Sequence, residues 1–89
     1  MQSLGAYLRE LRQAKGRSLE EMLHATRVGL RYLEALEADA LSELPASVFT
    51  KGFIRAYCQT LREPPDEALS RYRELVWESL TPALPRPPP

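Results

Sequence analysis

The stretch LPASVFTKGFIRAYCQTL, Leu44 to Leu61, decides how the rest of the chain is read. Pro45 suits the first position of a helix: its fixed φ fits, and its missing N–H would have had no intrahelical acceptor. Beyond it the apolar residues fall in two rows. Phe49, Phe53 and Tyr57 recur at i, i+4 and i+8, while Ile54, Cys58 and Leu61 recur at i, i+4 and i+7. At about 100° per residue the rows together cover roughly 180° of the helix, where an ordinary surface helix needs roughly 100°. Such a helix is either enclosed by its neighbours or keeps one row for a partner. We assign Ile54, Cys58 and Leu61 to the core. Gly52, Ala56 and Thr60 lie beside the aromatic row, where small side chains let another backbone approach.

Upstream, Leu4, Tyr7, Leu8 and Leu11 share one face of a helix from about Leu4 to Lys15, with Ser3 as N-cap and Gly16 as its stop. Arg9, Glu10 and Arg12 point away from that face, and Gly5 weakens the first turn slightly. Ser18-Leu19-Glu20-Glu21 is a capping box, opening a short helix to about Thr26 with Leu19, Met22 and Leu23 inward. Arg27-Val28-Gly29 breaks it. A third helix runs from Leu30 to Ala38, with Leu33 and Leu36 inward and Tyr32 beside Leu36. Two short helices joined this way meet the requirements of a helix-turn-helix. Ala38–Glu43 is read as a loop.

Downstream, Glu63-Pro64-Pro65-Asp66 ends the fourth helix, and Pro65 or Asp66 opens a fifth, lined on one face by Leu69, Tyr72, Val76 and Leu80. Trp77 falls off that face, at an edge or partly exposed. Residues 1–80 are thus an all-α, five-helix helix-turn-helix domain, and 81–89 the start of a proline-rich linker in extended polyproline II form.

With 89 residues the chain suits one domain with a modest core. Twelve basic and twelve acidic residues cancel, which argues against a domain devoted to a polyanion. One cysteine permits no internal disulfide, and no apolar run has the length of a membrane span or of a signal peptide core. His24 lacks a Cys, Asp or second His at metal spacing, Cys58 lacks a base at motif spacing, and the four glycines are scattered. No catalysis, cofactor or metal is expected.

The segments LGAYLRELRQAKGRSLEEM, ATRVGLRYLEALEA and LPASVFTKGFIRAYCQTL together resemble the N-terminal helix-turn-helix domain of the RodZ family of bacterial cell-shape proteins. That domain lies within the wider phage-repressor-like superfamily. The combination of ATR, YLEALE and VFxxGFIRAY is the specific part. The resemblance implies a phage-repressor-like fold and a cytoplasmic domain that binds MreB, the actin-like filament protein, through aromatics on the fourth helix. By position these are Phe49 and Phe53, with Tyr57 at the margin. It further implies a full-length protein anchored in the inner membrane through a segment beyond this chain, tethering filaments to the envelope.

The alternative is a sequence-specific DNA-binding regulator. In such proteins the start of the third helix enters the major groove. Here that position reads Gly29-Leu30-Arg31-Tyr32, where Arg31 can read a base and Arg27 can hold a phosphate. Against this, Glu20 to Glu43 holds six acids and two arginines, a net of −4, unfavourable beside phosphates. DNA-binding relatives in the superfamily usually carry a small residue at Leu23 and glycine at Arg27. Arg9, Arg12, Lys15 and Arg17 form a basic strip that keeps the alternative open.

Overall fold

The computed structural model describes residues 2–80. Among them are α1 (Leu4–Ala14), α2 (Leu19–Thr26), α3 (Leu30–Glu37), a 3-10 turn (Leu41–Glu43), α4 (Ser47–Thr60) and α5 (Asp66–Leu80), with no strand. The expected linker at 81–89 lies outside the described residues.

The starts of α1 and α2 are capped by side chains, whereas those of α3 and α4, at Gly29 and Ala46, carry no side-chain cap. The Ala6 N–H donates to Ser3 Oγ, and the Gly5 N–H donates to Asp39 Oδ1 at 2.8 Å, so an acid from beyond α3 caps α1. The capping box of α2 is complete: Glu21 N–H donates to Ser18 Oγ and Ser18 N–H to Glu21 Oε1. Three helix ends close in the same way, through a left-handed residue at Gly16, Asp39 or Arg62. In each, the next amide reaches back to an orphan carbonyl, Arg17 to Arg12, Ala40 to Ala35 and Glu63 to Cys58. Only the first of these carried a glycine signal.

The core joins Leu4 and Leu8 of α1, Met22, Val28, Leu33 and Leu36 of the helix-turn-helix, and Ile54, Tyr57, Cys58 and Leu61 from the α4 region. Ala68 and Tyr72 of α5 complete it. The row Ile54–Cys58–Leu61 does face inward.

Several expectations are corrected. The fourth helix begins at Ser47, after Pro45, because Ala46 is extended and the Pro45 carbonyl instead accepts from Thr50 Oγ1. The stretch read as a loop contains the 3-10 turn. Leu80 is 74% exposed, since α5 outruns the neighbours that bury Ala68 and Tyr72. Gly5 is no mere weakness. A Cβ there would lie 2.3 Å from the Glu37 carbonyl oxygen, so the α1–α3 approach demands glycine. Arg12 does not point away to solvent but turns in to Glu37.

Candidate docking face on the fourth helix

Position along α4 separates the three aromatics. Phe49 sits in the first turn of the helix and is 60% exposed. Phe53 is half-buried, its ring stacked on Tyr32 of α3 with centroids 5.4 Å apart and planes at 28°. Tyr32 thus supports an α4 aromatic, a role the pairing with Leu36 did not anticipate. Tyr57 is fully buried. Its hydroxyl lies 2.6 Å from Glu37 Oε2 and 3.0 Å from the Leu8 carbonyl oxygen. As a surface contact Tyr57 is therefore corrected: it is a core residue, because its side chain leaves α4 on the inward side and its hydroxyl reaches Leu8 of α1 and Glu37 of α3. Burial and the Glu37 carboxylate both push its phenol well above the usual tyrosine range.

Glu37 is the polar centre under this face. Arg12 grips it with two parallel bonds, Nε to Oε2 at 2.8 Å and Nη2 to Oε1 at 2.9 Å. Arg12 Nη1 donates to the Arg17 carbonyl, and Arg9 donates to the Glu37 carbonyl at 3.2 Å. The Arg12 guanidinium, hydrogen-bonded by Glu37, is held above its ordinary range. This network orders α1, α3 and α4 relative to one another, and so sets where Phe49 and Phe53 stand.

One residue on the exposed face escaped the periodicity. Val48 is 71% exposed beside Phe49. Its signal was in the sequence: it belongs to neither apolar row. Lys51 and Arg55 flank the same face, and no carboxylate occurs between Leu44 and Arg62.

The DNA-reading candidates are placed differently. Arg27 is exposed and left-handed, with φ 62°, in the turn between α2 and α3. Arg31 is exposed but lies 3.5 Å from Glu43 Oε2. The basic strip is largely neutralised: Arg9 and Arg12 by Glu37, Lys15 by Glu63, Arg17 by Glu21. The net of −4 also needs correcting as a surface field. Glu37 is buried in its arginine fork, and Asp39 caps α1. Apart from the Arg17–Glu21 pair, four residues apart, neighbours distant in sequence settle both counts.

His24 is exposed in the last turn of α2. Among the described residues no group of three or more His, Cys, Asp or Glu gathers as a metal site, and no helix is long and apolar enough to cross a membrane.

A family described as a helix-turn-helix domain matches residues 7–68. The cytoskeleton protein RodZ of Streptococcus pneumoniae (strain ATCC BAA-255 / R6) is 38% identical over 55 residues, which is 62% of this chain and 20% of that protein. The chain therefore spans a small part of the relative. No solved structure matches. The matched region runs from α1 into α5 and includes the whole of the α4 face, and the chain belongs to the helix-turn-helix domain family, with a RodZ-like N-terminal domain.

Proposed function

We propose that this domain is a non-catalytic cytoskeletal adaptor that binds the actin-like protein MreB in cell-shape control. Phe49 and Phe53 are the contact residues, and a segment beyond this chain links the filament to the membrane. The observation that carries this reading is Phe49, a large aromatic 60% exposed at the start of α4, with Phe53 braced behind it on Tyr32. Aromatics fixed in this way are the residues that dominate binding energy at protein interfaces. The likeness to a protein named for the cytoskeleton supports the same role.

Sequence-specific DNA binding is the rival reading, with Arg27 and Arg31 in the groove. Its electrostatics are weak: Arg31 lies beside Glu43, and an apolar residue, Leu30, is exposed next to it at the start of α3.

Co-sedimentation with purified MreB tests the proposal. Phe49→Ala and Phe53→Ala should each weaken binding by roughly 2 kcal/mol or more, the scale of a hot-spot aromatic. Retention of full binding by both variants would sink it. For the rival, a mobility-shift titration at physiological salt should show no sequence-dependent binding tighter than about micromolar, since specific sites typically reach about 10⁻⁸ M or better.

A further inference from the structure

Gly52 has no internal reason to be glycine. Its φ is not positive, and a Cβ built on it meets nothing within 4 Å. Gly5 and Gly16 differ, one forced by a close carbonyl and the other by φ 68°. Glycine inside a helix weakens it, so a glycine the fold does not need suits the approach of a second backbone.

Two independent features flank Gly52. Phe49 and Phe53 stand along one edge of the exposed face. Lys51 and Arg55, one turn apart, stand along the other. Among the described residues neither cation has an ion-pair partner, although α1 and α3 cations do. The whole chain is neutral while Leu44 to Arg62 carries only positive charge.

We infer that α4 receives an acidic amphipathic helix of its protein partner. That helix lays its apolar edge on Phe49 and Phe53, points carboxylates at Lys51 and Arg55, and crosses with its backbone over Gly52. The inference rests on the reading of α4 as the docking face and adds the chemistry of what docks. Charge complementarity selects this occupant. A second copy of α4 would bring like cations together and offer no carboxylate. A phosphate backbone would satisfy the cations but leave Val48 and Phe49 against a charged surface.

The test uses the whole chain with three surface changes: Gly52→Leu, the pair Lys51→Glu with Arg55→Glu, and Phe49→Ala. Binding to purified MreB is measured by co-sedimentation at low and high salt, alongside thermal melts. Gly52→Leu should weaken binding at least tenfold while the melting temperature holds or rises. The charge reversal should weaken binding at least tenfold and flatten its salt dependence. If both bind within twofold of the parent while Phe49→Ala fails to bind, the docking face stands and the acidic helix is wrong. If Phe49→Ala also binds normally, the docking face itself is wrong. Vesicles of anionic phospholipid and a random DNA duplex serve as further probes. Charge reversal that abolishes capture by either of these, with MreB binding intact, would assign the cations elsewhere and overturn the inference.

Discussion

The Tyr57 hydroxyl lies 2.6 Å from Glu37 Oε2, joining α4 to the last residue of α3 inside the core. A hydrogen bond from a neutral phenol to a carboxylate already gripped by arginine is short and strong, and in a dry interior its loss is not repaired by water. The aromatic row of α4 is divided by this contact, with its third member spent on architecture and its first left to solvent.

Removing either end of that contact should therefore be felt in stability. Tyr57→Phe leaves a carboxylate lone pair unsatisfied and should cost about 1–3 kcal/mol. Glu37→Ala strands the half-buried Arg12 and should cost about 3–5 kcal/mol, as expected for a broken buried pair. Denaturant unfolding of the singles and the double should show coupling above about 0.5 kcal/mol, because the two share one network. Strict additivity would contradict the geometry.

The two rows of α4 should separate in the same assay. Ile54 is fully buried, so Ile54→Ala deletes buried methylenes, leaves a cavity, and should cost about 2–5 kcal/mol. Phe49→Ala removes mostly exposed surface and should cost about 1 kcal/mol or less. Unfolding of the Phe49 variant with a robust Ile54 variant would mean that the helix is rotated.

Glycine substitutions should have opposite signs at two positions. Gly5→Ala drives a methyl against the Glu37 carbonyl and should destabilise by about 1–3 kcal/mol. Gly52→Ala enters open space and should stabilise by roughly 0.5–1 kcal/mol, the ordinary helix preference for alanine. Melting temperatures of the two variants on either side of the parent value are the check.

Arg27 holds a left-handed conformation that an L side chain adopts only at a cost of roughly 1–2 kcal/mol. Arg27→Gly should relieve part of this and raise stability by up to about 1 kcal/mol, less what glycine adds to the disorder of the unfolded chain. A lower unfolding midpoint would show that the arginine side chain holds the turn in some other way.

Cys58 ties stability to alkaline pH. Burial, with Glu63 adding to it, pushes its thiol up to about 11 from 9.0. The unfolded chain then releases this proton first, so the contribution is full below about pH 9 and is lost as pH rises toward 11. For this one group the slope in that window is at most about 1.4 kcal/mol per pH unit. Native protein should also resist thiol reagents that label the unfolded chain at once. Unfolding curves from pH 8 to 11 and a labelling time course measure both effects.

Helix number, order and inward faces were legible in the chain itself, because periodicity, capping residues and prolines act locally. Ser3 and the Ser18–Glu21 box work through neighbours within one turn, and the row Ile54, Cys58 and Leu61 announces itself by its local spacing. Such interactions repeat at a fixed spacing and can be counted without a structure. The fate of Tyr57, Glu37 and Arg12 could not be read so. The wheel placed Tyr57 at the edge of a row, and charge counting put Glu37 in a surface field. Only the packing of α1 against α3, with the Tyr57 side chain reaching in from α4, brought carboxylate, guanidinium and phenol together, across separations of 20 and 25 residues. The same packing made Gly5 obligatory and left Gly52 open. Local sequence sets which face of a helix is apolar. How deep each residue on that face is buried depends on which other helices cross it and where, and that belongs to the tertiary structure.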